Sequence, residues 1–348
     1  MYAWDKTFVQ SGLYSNPGPL ICMSGNSLGC SVRVTYCDGN SMKPYFPFST
    51  SLLVTVLLIR ASSLDAATVY TYTPSSGSWG TAANWNTESY PDDTDDSNVT
   101  IGSGKNVAIN DGSFSAGYIF VGSSGILTAS GSGNGLTIGA TVNASGNSMV
   151  LSGNGGILNV SDNAFVQGFG RLLIGDTTTP GSVTHPTLEI TNATVSFSSI
   201  QFAGGNANVQ GQIVLNGGAE LTLANFTSGA AHGGSLVFNG DSLGFGSLSI
   251  GTLEAGKVVN LLINPGSYTG LGSFTLIDAT SWSGSFSSIV FNGSEYTFGT
   301  DVVIGEQTWN IDRSGNDLIL NVIPEPAVGW LLGISTVVLL GRWGRRSA

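Results

Sequence analysis

Between residues 67 and 323 the chain is written in short apolar alternations, with no helical apolar stripe among them. Leu136-Thr-Ile138, Ile157-Leu-Asn-Val160, Leu172-Leu-Ile174, Leu188-Glu-Ile190, Ile213-Val-Leu215, Leu221-Thr-Leu223 and Leu236-Val-Phe238 each keep a period of two for three or four residues. Gly, Asn or Ser turns bound them, which is the pattern of half-buried strands. One such strand buries too little to be stable. Stacked as rungs, many of them share a continuous apolar column. The spacing is irregular, so no strict repeat is demonstrable. The reading is an all-β chain: a right-handed parallel β-solenoid over residues 67–242, with a two-sheet β-sandwich as the alternative.

Composition agrees with many turns and few helices. Glycine accounts for 50 of 348 residues and only 9% of residues are charged, which excludes coiled coils and helical bundles. The glycines follow no three-residue period, so a collagen helix is excluded too. At 41% hydrophobic residues the chain can bury a core, which argues against disorder.

Net charge is −11, and its distribution is informative. Between Ala66 and Pro326 the cations are Lys105, Arg171, Lys257 and Arg313, against 19 carboxylates. Such a surface repels phosphate backbones, which argues against a nucleic-acid partner.

From residue 243 to 322 the texture changes. Val258–Ile263, Gly272–Ile277, Tyr296-Thr-Phe298, Thr308–Ile311 and Asp317–Val322 read as longer strands, and Asn292-Gly293 and Gly315-Asn316 suit hairpin turns. This region is expected to be an antiparallel β element closing the C-terminal end, or a separate small sandwich.

Two processing segments frame this body. Lys43 is a positive n-region, and Phe48 to Ile59 is an apolar stretch too short for a good membrane span. Small residues follow, with cleavage expected after Ala66. Residues 42–66 thus read as a secretory signal peptide. A signal peptide begins a protein, so Met42 reads as the true start and residues 1–41 as an upstream misreading of the gene. The alternative is a real N-terminal extension. Cys22, Cys30 and Cys37 all lie in that stretch, leaving the exported body without disulfide or thiolate chemistry.

At the other end Pro324-Glu325-Pro326 precedes the apolar stretch Ala327 to Gly341 and the arginines Arg342, Arg345 and Arg346. As a helix this stretch would span about 22 Å, and the arginines would stay cytoplasmic. An ordinary single-helix anchor is one reading. The order of features in residues 323–348 also resembles the PEP-CTERM sorting signal of Gram-negative bacteria. The resemblance implies that Pro324, Glu325 and Pro326 are read by an exosortase. It also implies one C-terminal transmembrane helix, with Arg342, Arg345 and Arg346 as the stop-transfer tail. The partners it implies are that sorting enzyme, the inner membrane and an exopolysaccharide. The destination it implies is the outer surface or extracellular matrix of a biofilm. The opening Val69–Tyr72, Trp79, Asn84-Trp85 and Val99–Ile101 resembles the start of autotransporter-associated β-repeat passengers.

Candidate chemistry is sparse. Trp79 and Trp85 read first as a cap over the open end of the coil stack, and second as glycan-stacking platforms. Trp282 and Trp309 are further candidates for a carbohydrate-binding module. Asp92, Asp93, Asp95 and Asp96 could hold Ca²⁺ in a loop, though a solvated acidic loop is the simpler reading. His185 and His232 read as turn residues and do not make a zinc site by spacing. A glycosidase needs two carboxylates, and Asp162, Asp176 and Glu189 are candidates without a distinguishing motif. No cofactor is expected beyond that Ca²⁺. The functional expectation is a non-enzymatic, surface-sorted structural or adhesive protein. The alternatives are a glycoside hydrolase or lyase, or a carbohydrate-binding module, on the same scaffold.

Overall fold

The structure is a computed structural model. It describes residues 20–24, 33–37, 67–139, 146–175, 182–202, 208–226, 234–257 and 260–324, with backbone alone at 20–24, 33–37, 93–96 and 257. The chain divides into two units after Asp65. In the first unit β1 (Leu20–Ser24) pairs antiparallel with β2 (Arg33–Cys37), Leu20 opposite Cys37. Residues 42–66, read as the signal peptide, lie outside the described residues.

The second unit opens with β3 (Thr68–Thr71), β4 (Ser76–Ser78), β5 (Asp93–Ile101), β6 (Asn106–Ile109), β7 (Ser113–Val121) and β8 (Ile126–Ser130). Next come β9 (Gly135–Ile138), β10 (Asn147–Leu151), β11 (Ile157–Ser161), β12 (Phe165–Ile174), β13 (Thr187–Thr191) and β14 (Thr194–Phe202). β15 (Gly211–Leu215), β16 (Glu220–Phe226), β17 (Gly234–Asn239), β18 (Ser247–Glu254), β19 (Asn260–Asn264), β20 (Gly272–Ser283) and β21 (Ser288–Phe291) follow. The described chain closes with β22 (Ser294–Glu295), β23 (Asp301–Ile304), β24 (Gln307–Ser314) and β25 (Asp317–Pro324).

These strands form a parallel β-solenoid. One sheet stacks β4, β6, β8, β11, β13, β15, β17, β19 and β21 in parallel, and β22 folds back on β21 as a hairpin. The other stacks β3, β5, β7, β10, β12, β14, β16, β18 and β20, with β9 beside β10 between β7 and β12. Register puts like on like. Val107, Leu127, Leu158, Leu188, Ile213, Leu236, Leu261 and Ile289 fall in one column. Seven of these eight are fully buried, Ile289 being only partly so, and each buried aliphatic contributes roughly 1.5–3 kcal/mol. The rungs differ in length, from 20 residues (Val107 to Leu127) to 31 (Leu127 to Leu158). That variation hides the repeat from a reader of the sequence.

Strands of the second sheet bend around a corner. In β14, Val195 and Phe197 point inward, then the alternation slips and Ile200 and Phe202 point inward. The same slip separates Ala116 from Ile119 in β7 and Leu223 from Phe226 in β16. In β12 it occurs between Gly168 and Arg171, where the pairing register also shifts. Each coil therefore offers three faces to solvent from two sheets.

Polar residues knit the corners between rungs. Asn264 donates to the Asn239 side-chain carbonyl at 2.8 Å, Asn239 donates to Asn216 at 2.9 Å, and Asn216 donates to Thr191 Oγ1 at 2.7 Å and Glu189 at 3.0 Å. This ladder satisfies amides that the corner partly removes from water.

The texture change at residue 243 is not where antiparallel pairing starts. β18, β19, β20 and β21 continue the parallel stack. The antiparallel part is β22 together with β25, β24 and β23, which extend from the first half of β20. Ile311, Leu318, Leu320 and Val322 belong to the same buried cluster as the coils, so this element is a closure of the solenoid. Tyr296-Thr-Phe298, expected as a strand, follows β22 as irregular chain. No helix among the described residues is long and apolar enough to cross a membrane; residues 327–341, expected as the anchor, lie outside them.

Candidate functional site

The first coil is sealed by the segment between β4 and β5. The 113–116 half of β7 pairs with β9, while on its other side only Ala116 has a partner, Asp93. Phe114 would stand bare there. Trp79 lies over it with ring centroids 6.4 Å apart, and Tyr90 meets it edge-on at 5.4 Å. Trp85 packs edge-on against Trp79 at 5.0 Å and Tyr72 at 5.2 Å. Both indole nitrogens are satisfied inside this cap. Trp85 Nε1 donates to the Trp79 carbonyl at 2.8 Å, and Trp79 Nε1 donates to the Pro91 carbonyl at 3.0 Å.

Trp79 and Trp85 are 0% and 2% exposed. Neither indole presents a face to a sugar ring, so the alternative expectation of glycan stacking does not hold for them: burial removes the surface that stacking needs. Trp309 is equally buried, packed on Phe245, Tyr268 and Phe291. Trp282 is half-buried and its ring carries the Arg313 guanidinium 4.6 Å from the centroid.

The asparagines flanking Trp85 serve the sheet edges. Asn84 Nδ2 donates to the Ser78 carbonyl of β4 at 2.9 Å, and Asn86 bonds Val69 and Thr71 of β3. Asn84-Trp85-Asn86 thus fills the core with its middle residue and closes one edge with each neighbour.

The remaining candidates do not converge. Asp92 is exposed, and Asp93, Asp95 and Asp96 begin strand β5 rather than forming the loop expected for Ca²⁺. Among the described residues no group of three His, Cys, Asp or Glu side chains could hold a metal ion. His185 is exposed, with Nδ1 3.3 Å from the Gln210 carbonyl; His232 and Asp176 lie outside the described residues. Asp162 sits in a tight turn at φ 56° and accepts from Ser161, while Glu189 accepts from Asn216. Pro324 is the last residue of β25, opposite Gln307; Glu325, Pro326, Arg342, Arg345 and Arg346 lie outside the described residues.

Gly240-Asp241-Ser242-Leu243-Gly244 has the Gly-x-Ser-x-Gly order of a nucleophile elbow. Here it is a hairpin-like turn between two strands, closed by the Asp241–Gly244 bridge and by Asp241 Oδ1 accepting from the Leu243 amide at 2.7 Å. No helix follows, so the strand–turn–helix context is missing.

What the coils do bring together is a ladder of neutral donors and acceptors. Register aligns Ser115, Thr137, Gln167, Ser196, Thr222 and Ser249 in one outward column that ends at Asp278. On the other sheet Ser76, Ser78, Asn106, Asn110 and Thr128 line a shallow trough of about 290 Å³ beside the cap. Ser78 Oγ donates to Asp111 at its rim. Among tyrosines, burial raises the hydroxyl pKa of Tyr72 and of Tyr296. Compared with known proteins, the chain matches no family model, no curated protein and no solved structure.

Proposed function

We propose that this is an exported, surface-sorted structural or adhesive protein of an extracellular matrix, whose solenoid contacts exopolysaccharide and performs no chemistry of its own. The observation that carries this reading is the column Ser115–Thr137–Gln167–Ser196–Thr222–Ser249, one hydroxyl or amide per rung. Rungs about 4.8 Å apart give a linear, uncharged hydrogen-bonding track, which suits an extended polyhydroxylated polymer. The acidic surface keeps such a protein soluble and away from anionic polymers. The solenoid is taken as right-handed, as parallel crossovers overwhelmingly are.

The delivery half of the reading rests on the sequence at the two ends. Residues 42–66 lead the chain through the inner membrane, Pro324-Glu325-Pro326 is read by an exosortase-type enzyme, and Ala327–Gly341 with its arginine tail holds the chain until processing. Mass spectrometry of the native C-terminus tests this. A terminus near Pro326 supports sorting, and an intact Arg346 in the inner membrane favours a plain anchor.

Retention on a panel of immobilised neutral glycans tests the track. Saturable binding that falls in a Gln167→Leu, Thr222→Val variant of unchanged melting temperature is expected. Release of sugar product from any glycan would replace this reading with an enzymatic one.

A further inference from the structure

The outer face of the C-terminal meander carries three exposed apolar side chains in one row at the point where the described chain ends. Val303 on β23 pairs with Thr308 on β24, and Thr308 pairs with Ile323 on β25. Leu271 precedes Gly272, which pairs with Val322, so it adjoins Ile323. Directly opposed residues of antiparallel strands share a face. Val303, Ile323 and Leu271 are 55%, 50% and 54% exposed, while Thr308 between Val303 and Ile323 is only 9% exposed, so the apolar side chains flank a covered threonine. Across four strands about 4.8 Å apart the row is roughly 14 Å wide. The Leu271 end is fixed to the meander, because Gln307 Nε2 donates to the Thr269 and Gly270 carbonyls at 2.8 and 2.7 Å. The next row on the same face is polar: Asp301, Asn310, Asn321 and Ser273, with Asn310 donating to Asp301 at 2.8 Å. Glu306 lies in the β23–β24 turn, and Asp301 begins β23 two residues before Val303.

We propose that the row Leu271–Ile323–Val303 is the surface on which the anchored chain rests against the lipid bilayer, at the boundary between headgroups and acyl chains. The inference rests on the reading of Ala327–Gly341 as a membrane anchor. Given that anchor, chain length leaves little freedom. Only Glu325 and Pro326 separate Pro324 from Ala327, and three residue steps reach about 11 Å at most. The end of β25 is therefore held at the membrane surface, and the apolar row is the part of that end which gains by meeting it. The polar row behind stays in water, so the meander is divided as an interfacial element must be. Among the described residues, β23, its turn, positions 307–310 of β24 and β25 hold no basic residue, which makes the contact one of apolar seating rather than charge attraction.

The test uses the exported chain, residues 67–348, which has no cysteine of its own, with a polarity-sensitive fluorophore on Val303→Cys, or on Ser103→Cys at the opposite end of the solenoid. Each is reconstituted into phosphatidylethanolamine–phosphatidylglycerol vesicles carrying a quencher at the headgroup–acyl boundary. The expected result is a blue shift and lipid quenching at position 303 but not at 103, in chains that float with the vesicles. A Leu271→Ser, Ile323→Ser variant with the 303 probe should still float and should lose most of that quenching. A floating chain whose 303 probe stays in water overturns the proposal and leaves the anchor reading intact. So does a 303 probe shielded without lipid quenching, which would mean that a second copy or the chain's own tail covers the row. A chain that fails to float overturns the anchor reading and this proposal together.

Discussion

Asn86 stands where a further strand would pair with Thr71. Its side-chain carbonyl accepts from the Thr71 amide at 2.7 Å, and its own amide nitrogen on the backbone donates to the Thr71 carbonyl at 3.1 Å. Its Nδ2 reaches the Val69 carbonyl at 3.3 Å. One residue thus occupies the Thr71 amide and carbonyl and the Val69 carbonyl of β3, groups that would otherwise recruit another chain. Replacing Asn86 with Ala should lower stability by about 1 kcal/mol and make the protein associate with rising concentration. Thermal melts and light scattering check this; a variant as stable and as monomeric as its parent would count against edge closure.

Truncating the cap should cost more than unsealing its edge. Trp85→Ala removes the ring that touches Tyr72 and Trp79 and leaves a cavity, for a loss of about 3–5 kcal/mol. Trp85→Phe keeps most of the packing and loses the bond to the Trp79 carbonyl, so about 1 kcal/mol is expected. Neither change should alter glycan retention, since neither Trp79 nor Trp85 exposes an indole face. Denaturant titration gives the stabilities, and weakened retention in a folded Trp85→Phe protein would restore a binding role to the cap.

The strands that could be read from the sequence are those whose inward residues are both aliphatic and uninterrupted. Leu158, Leu188, Ile213 and Leu236 head such pairs, and all four stack in one column of the first sheet. The second sheet shows in the sequence only as fragments because its strands turn a corner. Leu172–Ile174 is legible, but the other half of β12 carries its inward positions as Val166 and Gly168, and a glycine gives no hydrophobic signal. Register was invisible for the same reason that the rungs vary in length. The cap's aromatic residues were legible as a cluster; the edge-closing role of Asn84 and Asn86 was not, because a side-chain amide acting as a strand leaves no periodicity. The elbow-like Gly240–Gly244 shows the converse, a motif whose meaning only its flanking strands decide.

Gly168 is required by its neighbour on the next rung. A Cβ there would lie 2.2 Å from the Phe197 ring, which fills the space the glycine leaves. Gly168→Ala should therefore destabilise by about 1–3 kcal/mol through overpacking. Adding Phe197→Leu should return part of that loss, so the two changes should couple in a double-mutant cycle. Strict additivity would show that the ring moves aside freely.

The asparagine ladder predicts an unequal cost along its length. Asn239 both donates to Asn216 and accepts from Asn264, so Asn239→Ala strands two partly buried amides and should cost about 1–3 kcal/mol. Asn264→Ala breaks only the bond to Asn239 and should cost less. Equal losses from the two variants, measured by denaturant unfolding, would mean that water replaces the ladder without penalty.

Alkaline pH should unfold this protein through its buried phenols. Burial raises the pKa of Tyr72 and Tyr296 above the ordinary value of about 10. Below that pH both phenols keep their protons in either state and stability is unaffected. As pH rises past about 10 the unfolded chain loses protons that the fold retains, so stability falls until the raised native pKa values are reached. Tyr72 isolates the effect, because its buried hydroxyl has no hydrogen-bond partner. Tyr72→Phe should leave the protein at least as stable at neutral pH, by up to about 1 kcal/mol, and should flatten the alkaline decline. Tyr296→Phe should flatten it as well but lower stability at every pH, since that hydroxyl donates to the Thr300 carbonyl and accepts from the Ile311 amide at 2.9 Å. Melting temperatures of parent and both variants from pH 7 upward separate the two cases, and an alkaline decline of identical slope in all three would remove the phenols as its cause.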